Sequence, residues 1–342
     1  MSADPRSPRI RVFGAGSIGC YVGGRLQATG ADVAFVGRPR LAGELAQHGL
    51  HLTDFHGADL RVDRSRLRFS TTPAAASAAD LVLVTVKSAG TAEAGRELAA
   101  VLRPDALVLS LQNGIGNAAV LRQVLPGHTV LDGMVPFNVL NRGCGSFHQG
   151  SEGHLAATDH AALRAWQPLF DLAGLPLELH PEMLPVQWAK LLLNLNNPVN
   201  ALSNRPLKEQ LSQRAYRRCV ALAQREALAL LDTAGIRPAK LTPLPPQWIP
   251  FMLSLPDAVF RLAANKMLEI DPLARSSMWE DLQAGRTSEV DWINGEVIRL
   301  ATRLGRAAPV NAKLLGLIRQ AEQGGRREWS GAALFAELEA AR

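Results

Sequence analysis

The strongest constraint on how this chain folds lies near its start, where a short apolar segment runs into a glycine-rich turn. Residues 10–13 have the pattern of a buried strand, and the next six residues match G-x-G-x-x-G (Gly14, Ala15, Gly16, Ser17, Ile18 and Gly19). A helical pattern then runs to Ala28, and residues 32–36 have the pattern of a second strand. This order predicts the first unit of a parallel sheet that holds a dinucleotide.

Each glycine of the motif has its own steric role. Gly14 permits the tight turn, Gly16 lets the backbone approach a pyrophosphate, and Gly19 lets the helix pack closely on the strand. The phosphates are expected at the positive N-terminus of the helix. We therefore predict that the whole motif contacts the cofactor. A strand, turn and helix without a ligand is the alternative.

The end of the second strand bears on which dinucleotide is bound. An acidic residue there would suit the ribose 2′-hydroxyl of NAD, but this strand is followed by Gly37-Arg38-Pro39-Arg40. An arginine suits the 2′-phosphate of NADP, and a charge-assisted contact of about 1.5–3 kcal/mol favours NADP by roughly 10- to 100-fold. We predict Arg38 as this contact, with Arg40 as a second one. A solvated loop arginine is the alternative.

Two further apolar segments end in polar residues. Residues 80–86 and 106–111 have the continuous apolar pattern of buried parallel strands. Lys87 follows the first and Asn113 lies just after the second, at the carboxyl ends where open α/β sheets bind ligands. We predict that Lys87 meets a phosphate or the adenine ribose, and that Asn113 meets the nicotinamide ribose or the substrate. A polar strand end and an ordinary Asn-Gly turn are the respective alternatives.

The pattern changes from mixed strands and helices to helices alone after Glu182. With 342 residues, the chain is long enough for two domains. We predict an α/β N-terminal Rossmann-like dinucleotide-binding domain at 1–182, followed by an all-α C-terminal domain at 183–342. Residues 236–256 are rich in proline and predict an ordered loop or lid, with a helix at 257–266 after it.

Shorter strands are predicted around the central ones. Residues 50–52 and 60–62 are expected to be edge strands, and residues 130–140 and 147–155 an antiparallel extension of the sheet. A single helix is predicted at 161–173.

Composition limits the kinds of partner and the cellular compartment that we expect. The net charge is +6, and no dense basic segment with interleaved aromatic residues is present, so nucleic acid is not indicated. No apolar run reaches about 18 residues, so no membrane span is expected. The three scattered cysteines favour a reducing compartment, and we expect a cytoplasmic protein. His48, His51 and His56 lack the spacing of a metal site, so no metal is predicted.

A second constraint is a helical segment with one lysine among apolar residues. At 3.6 residues per turn, Lys190, Asn194 and Asn197 fall on one face, while leucines occupy the rest of the circumference. A buried lysine is costly unless it is paired or its pKa falls. Pro198 cannot donate to the carbonyl of Asn194 and is expected to kink the helix there. The segment predicts a cation and two amides in a polar pocket, in a cleft between the domains. A surface helix with a solvated lysine is the alternative.

Two capped helices are predicted further along the chain. Ser277 with Glu280 fits a capping box, and Ser288 can cap the next helix. Glu289 would lie in the first turn of that helix, where the helix dipole favours its ionised form. A plain helix start without a functional role is the alternative for Glu289.

The chain resembles the 2-dehydropantoate 2-reductase (ketopantoate reductase) family. The glycine motif, the run from Lys190 to Asn194 and the block Arg275–Gly295 carry the resemblance, and the second and third are rather specific in this order and spacing. The segments Val84–Lys87 and Leu111–Gly114 also fit. Together the matching parts span roughly residues 8–320.

The resemblance implies NADPH-dependent reduction of a 2-oxo acid, 2-dehydropantoate, to a 2-hydroxy acid, pantoate, in pantothenate and coenzyme A biosynthesis. It implies that Lys190 is the general acid and that Asn194 helps to hold Lys190 and the substrate. Ser277 and Glu289 would bind polar groups of the substrate, and Asn113 would bridge cofactor and substrate. The matching NADP-binding positions are Gly14, Gly16, Gly19, Arg38 and Lys87.

The chemistry of the reaction fits these residues. Hydride addition to a ketone builds an alkoxide, which a protonated Lys190 would stabilise and protonate. Burial would lower the pKa of Lys190, and a nearby Glu289 would raise it and share the catalytic role. Asn194 and Asn197 can donate to a substrate carboxylate. Arg275 is a further candidate for that carboxylate because of its place beside the serine pair.

Some features depart from the family. The run Asp271-Pro-Leu-Ala274 lacks an asparagine often found before the serines, and Pro198 follows Lys190 by one residue fewer than in some members. These departures motivate an alternative, a sister NADPH-dependent reductase for another 2-oxo acid or ketone. A non-catalytic NADP-binding sensor is the remaining alternative. For partners, we expect a small 2-oxo acid, no nucleic acid and no membrane, and the helical domain suggests a homodimer.

Overall fold

The computed structural model describes residues 8–263 and 274–342, and the chain divides into two compact units, Met1–Met183 and Leu184–Arg342. Within the described residues, every strand lies in the first unit and the second unit is helical. The predicted fold class is therefore confirmed. No helix in this part of the chain is both long and apolar enough to cross a membrane.

The main sheet of the first unit is largely parallel. Its strands, within the described residues, are β1 Arg9–Phe13, β2 Asp32–Val36, β5 Arg68–Ser70, β6 Leu81–Val84, β7 Leu107–Ser110, β8 Thr129–Met134, β11 Leu155–Thr158 and β12 Leu177–His180. They are ordered β12-β11-β8-β7-β6-β1-β2-β5. Among the described strands of this sheet, only β8 and β11 pair in the antiparallel sense. The apolar strands β6 and β7 are buried throughout, as their continuous apolar pattern predicts.

A second, smaller sheet corrects two predictions. It contains β3 Leu50–Asp54, β4 Asp59–Val62, β9 Val139–Gly143 and β10 Ser146–Gln149, in the order β4-β3-β10-β9. Of the two segments expected as edge strands, residues 60–62 lie in β4 at the edge of this sheet, whereas residues 50–52 lie in β3, which pairs with β4 and β10 on its two sides. The expected antiparallel extension is also wrong in part. β8 pairs with β7 in parallel, the β9–β10 hairpin joins β3, and only β11 extends the main sheet in the antiparallel sense.

Helices cover the main sheet. Those of the first unit are α1 Ser17–Ala28, α2 Pro39–His48, α3 Thr91–Ala99, α4 Asn117–Val124, α5 Ala161–Arg164 and α6 Gln167–Leu172. The buried apolar side chains form two clusters, one that includes Val12 and Phe35 and another that includes Phe13 and Val84. Successive strand residues thus enter different clusters. The single helix predicted at 161–173 is two helices, because Pro168 has no N–H to donate to the carbonyl of Arg164.

The second unit is built from helices in its described part. They are α7 Leu184–Asn194, α8 Asn196–Ser203, α9 Leu207–Ser212, α10 Arg214–Thr233, α11 Ile249–Leu253, α12 Asp257–Ala263, α13 Ser277–Gln283, α14 Val290–Arg303, α15 Pro309–Glu322 and α16 Gly331–Glu339. The proline-rich segment predicted as a loop or lid contains the short α11. The predicted helix at 257–266 is described as far as Ala263, and its remainder lies outside the described residues, as do positions 271–273 before the serine pair.

Candidate active site

The glycine turn between β1 and α1 leaves no room for a side chain at its first position. Gly14 has φ of +99°, and a Cβ there would lie 2.4 Å from the backbone nitrogen of Val86. The N–H groups of Gly14 and Ala15 both donate to the carbonyl of Val36, at 2.9 and 2.8 Å. Thr85 Oγ1 donates to the carbonyl of Gly14 at 2.8 Å. Only glycine tolerates both this backbone conformation and this approach.

The other two glycines of the motif differ from each other. A Cβ on Gly19 would lie 2.6 Å from Thr85 Oγ1 and 2.8 Å from Val12 Cγ1. The helix and the strand therefore pack too closely for a side chain at this position. Gly16 has an ordinary φ of −123°, is exposed, and has only the Gly14 carbonyl oxygen, at 3.8 Å, near the Cβ position. Packing within the described chain therefore does not require glycine at 16, whereas close approach of a pyrophosphate to this backbone does. The turn fits a dinucleotide.

Two arginines follow β2. Arg38 is exposed, directly precedes α2 and forms no ion pair within residues 8–263 and 274–342. Arg40 lies 3.7 Å from Glu44 across one helical turn. Of the two predicted contacts for a 2′-phosphate, Arg38 is therefore the one without a competing ion pair in this part of the chain.

The ends of β6 and β7 carry the other two residues predicted in this unit. Lys87 is exposed and Asn113 is partly buried, next to Gly114 with φ of +86°. Beneath them lies a buried polar network that the sequence analysis missed (Ser88, Thr91, Ser110, Gln112 and Asn117). Polar residues follow both strands in the sequence. Because β6 and β7 are neighbours in a parallel sheet, these residues could have been expected to lie side by side.

Lys190, Asn194 and Asn197 share the partly exposed face of an otherwise buried helical segment. The neighbouring Leu191, Leu192 and Leu195 are at most 2% exposed. The side-chain amides of Asn194 and Asn197 have no hydrogen-bond partner among the described residues, and they are therefore available to a ligand. One cation and two amides therefore lie on one face of this segment.

The helix is interrupted where the proline was predicted to distort it. α7 ends at Asn194, Leu195 links the two segments, and α8 begins at Asn196 with Pro198 in its first turn. A proline is tolerated in a first turn because its missing N–H would have no helical partner there. The interruption lies between Asn194 and Asn197, so these two candidate ligand groups belong to different helices.

Burial lowers the pKa of Lys190 from 10.5 to about 8. The shift follows the cost of removing an ammonium ion from water. At pH 7 the side chain remains largely protonated, yet its proton is far more available than that of a solvated lysine. A lysine in this state can act as a general acid near neutral pH.

The first helix of the serine-containing block begins one residue earlier than predicted. Trp279 N donates to Ser276 Oγ at 3.2 Å, so Ser276 is the N-cap and the capping box assigned to Ser277 and Glu280 is wrong. Ser276 also binds α8, since its N–H donates to Asn200 Oδ1 at 2.9 Å. Ser277 is the first residue of α13 and is exposed. The hydroxyl of Ser276 thus caps the helix, and the side chain of Ser277 stays accessible.

Glu289 and Arg275 complete the predicted set. Glu289 is the N-cap residue of α14, one position before the predicted first turn, and is partly buried. Arg275 donates to the carbonyl of Asn204 at 3.0 Å and stacks on Trp279, with 4.1 Å from its guanidinium carbon to the ring centroid. Two structural contacts already hold Arg275, so its predicted role in binding a carboxylate has the least support.

The predicted residues are distributed over both units. The glycine motif, Arg38, Lys87 and Asn113 lie in the first unit, and Lys190, Asn194, Asn197, Ser277, Glu289 and Arg275 in the second. No cluster of three or more His, Cys, Asp or Glu side chains suited to a metal ion occurs among the described residues.

The glycine turn, the parallel sheet and the helical second unit define a two-unit protein of the Rossmann-like class. The family model for ketopantoate reductase PanE/ApbA matches residues 10–161, and the model for the C-terminal part of the same family matches residues 182–322. The chain belongs to the ketopantoate reductase PanE/ApbA family. A 2-dehydropantoate 2-reductase from Halobacterium salinarum is 29% identical, with 93% of this chain and 100% of the relative covered.

Solved structures agree with this assignment. A PanE/ApbA family ketopantoate reductase from Ralstonia eutropha superposes with a TM-score of 0.78 at 29% identity, over 92% of this chain and 99% of that chain. The ternary structure of D-mandelate dehydrogenase with NADH and anilino(oxo)acetate has a TM-score of 0.77 at 19% identity, with the same coverage. The second likeness shows a shared fold.

Proposed function

We propose that the protein reduces 2-dehydropantoate to pantoate with NADPH. The observation that carries this proposal is the partly exposed polar face of α7 and α8, where Lys190 has its pKa lowered to about 8 beside two amides without partners among the described residues. Membership of the ketopantoate reductase family supports it. So does the 2-dehydropantoate 2-reductase from Halobacterium salinarum, which matches over nearly the whole chain.

NADPH, when bound, supplies the hydride that adds to the carbonyl carbon of the substrate. Lys190 stabilises the negative charge that develops on the carbonyl oxygen and donates a proton to it. Asn194 and Asn197 donate hydrogen bonds that orient the substrate. Ser277 and Glu289 bind its remaining polar groups.

Residues 1–182, which lie in the first unit, are proposed to bind NADPH rather than NADH. Arg38 supplies the charge for the 2′-phosphate, and the glycine motif leaves space for the pyrophosphate at Gly16. Lys87 and Asn113 add contacts from the adjacent strand ends. Residues 183–342 carry the groups that act on the substrate. A homodimer formed by this unit remains a prediction.

A sister reductase is the second candidate. The run from Asp271 to Ala274 differs from the family pattern, and Pro198 follows Lys190 by one residue fewer than in some members. Both changes lie next to residues proposed to bind the substrate, Ser277 and Asn197. They would alter which 2-oxo acid or ketone is accepted and leave the hydride chemistry the same.

Initial rates of NADPH oxidation test the proposal. Ketopantoate is compared with pyruvate and 2-oxoisovalerate, and NADH replaces NADPH in a parallel series. We expect kcat/KM of about 10⁴ M⁻¹s⁻¹ or more for ketopantoate with NADPH. Activity with another 2-oxo acid alone would favour the sister reductase. Micromolar NADPH binding with no turnover of any substrate would favour a non-catalytic sensor.

A further inference from the structure

The backbone carbonyl of Asn113 accepts hydrogen bonds from two buried side chains. Asn117 Nδ2 donates to it at 2.7 Å and Ser88 Oγ donates to it at 2.9 Å. Asn117 Nδ2 also lies 3.2 Å from Ser88 Oγ, so the three groups form a closed triangle. Asn117 begins α4, whereas Ser88 follows β6. Two separate elements therefore hold one peptide group of the β7–α4 loop.

Further hydrogen bonds hold the side chain of Asn117. Thr91 Oγ1 donates to Asn117 Oδ1 at 2.8 Å and accepts from Gln112 Nε2 at 2.7 Å. Gln112 Nε2 also donates to the carbonyl of Val86 at 3.0 Å. With Thr91 Oγ1 at the amide oxygen, the NH₂ group of Asn117 is directed at the carbonyl of Asn113.

The loop that carries Asn113 needs such support. Gly114 and Gly116 have φ of +86° and +84°, a region that glycine samples readily but does not hold by itself. Residues 112–116 contain no regular element of their own. The contacts from Asn117 and Ser88 therefore restrict the backbone directly before the two glycines.

We propose that Asn117 and Ser88 are positioning residues that fix Asn113 for its contact with the bound nicotinamide cofactor and substrate. The inference rests on the proposed function of Asn113. Ser88 follows Lys87 directly, so the same triangle sets the distance between the two strand-end residues that are proposed to meet the cofactor.

Two substitutions measure this effect. Asn117→Ala removes both hydrogen bonds that its amide donates, and Ser88→Ala removes the bond donated to Asn113 and the one accepted from Asn117, with little change in volume. We expect Asn117→Ala to raise the NADPH Kd about tenfold and to lower kcat/KM for ketopantoate about 10- to 100-fold, because small displacements of positioning groups are costly. Ser88→Ala should show a smaller change in the same direction. NADPH fluorescence titration and initial rates provide the measurements.

Gln27→Ala is the matched control. Gln27 is equally buried, and its amide donates to the carbonyl of Arg66 at 2.6 Å, away from the strand ends. It should lower Tm by about as much as Asn117→Ala while leaving the NADPH Kd within twofold of wild type. Equal losses of NADPH affinity in both variants would mean that Asn117 acts only on stability, and the proposal would be overturned.

A double-mutant cycle with Asn113→Ala isolates the pathway. If Asn117 acts through the Asn113 side chain, adding Asn117→Ala to Asn113→Ala should change the NADPH Kd by less than about threefold. Full additivity would overturn the proposal.

The Thr91 hydroxyl is tested in the same way. Thr91→Ser should retain the wild-type affinity for NADPH, and Thr91→Val should lose part of that affinity. These Kd measurements remain decisive even if wild type fails to reduce ketopantoate, an outcome that would reject only the proposed substrate.

Discussion

The candidate cofactor region of the first unit and the candidate catalytic face of the second unit are built in different ways. In the first unit, the glycine motif works through missing side chains, and a Cβ at Gly14 or Gly19 would meet atoms within 2.6 Å. In the second unit, the proposed roles of Lys190 and Asn194 depend on the ammonium and amide groups that they present from a mostly buried helix. Added atoms in the first region should therefore weaken cofactor binding, whereas removal of functional groups from the second should lower the rate of the reaction.

The largest effect is expected from Lys190→Ala. Loss of the general acid should lower kcat about 100-fold or more and leave the NADPH Kd nearly unchanged, because the proton donor serves the chemical step. Stopped-flow rates and NADPH titration separate the two quantities. Lys208→Ala, at an exposed position of α9, is the control and should have wild-type kinetics. Equal loss of NADPH affinity in Lys190→Ala would assign the lysine to the cofactor or to folding.

A methyl group added at Gly16 or at Gly19 should have different effects, because the first position faces a ligand in our proposal and the second faces the protein core. Gly16→Ala should weaken NADPH binding about 10- to 100-fold with little change in Tm, because only a ligand requires the space at that position. Gly19→Ala should lower both Tm and affinity, since its Cβ would meet Thr85 and Val12. Differential scanning fluorimetry and NADPH titration report the two effects. A normal NADPH Kd in Gly16→Ala would place the pyrophosphate elsewhere.

Arg38→Ala tests the choice of cofactor. We expect it to reduce the ratio of kcat/KM for NADPH to that for NADH by about 10- to 100-fold, mainly through the NADPH value. Arg40→Ala, whose guanidinium already lies near Glu44, should reduce the ratio less. An unchanged ratio in Arg38→Ala would show that other residues read the 2′-phosphate.

The rate should depend on pH through Lys190. The acid form is required, and its pKa is about 8, so kcat should be nearly constant below pH 7 and fall about tenfold per pH unit well above pH 8. Lys190→Arg stays protonated over this range and should be slower but independent of pH. Tm is followed at each pH to exclude unfolding. A wild-type rate that stays constant to pH 9.5 would be inconsistent with this acid.

The smallest effect concerns stability. The folded pKa of Lys190 lies below its unfolded value of 10.5, so the folded state is penalised while the lysine is charged, below about pH 8. Lys190→Met should raise the free energy of unfolding by about 1–3 kcal/mol at pH 7, a Tm increase of a few degrees. The gain should shrink as the pH rises from 8 toward 10.5. A destabilised Met variant would mean that the ammonium group makes contacts that outweigh its burial.

Local sequence patterns predicted much of the fold and the candidate site. The glycine motif predicted the turn between β1 and α1 because its steric demands fall within six residues. The period of 3.6 placed Lys190, Asn194 and Asn197 on one face, and the missing N–H of Pro198 predicted the distortion after Asn194. In each case, the residues that determine the structure are neighbours in sequence.

Features that depend on distant segments were not predicted. The β9–β10 hairpin pairs with β3, about 90 residues earlier, and no short-range pattern encodes that partner. The cap of α13 was misplaced by one position because Ser277, with Glu280 three residues on, fits the local capping-box rule, whereas the contact of Ser276 with Asn200 on α8 favours Ser276 as the cap. The hydrogen bonds of Asn117 also join separate elements. Tertiary context decided each of these features.

The interruption at Leu195 has a consequence for how such a protein can diverge. α8 buries six of its eight residues, and the Ser276 N–H donates to Asn200, so its own packing orients α8 independently of α7. Asn197 is therefore aimed by the core of α8, and Lys190 by that of α7. Substitutions beneath α8 can shift the Asn197 amide while Lys190, the proposed proton donor, keeps its place, so recognition and chemistry can be tuned on separate helices.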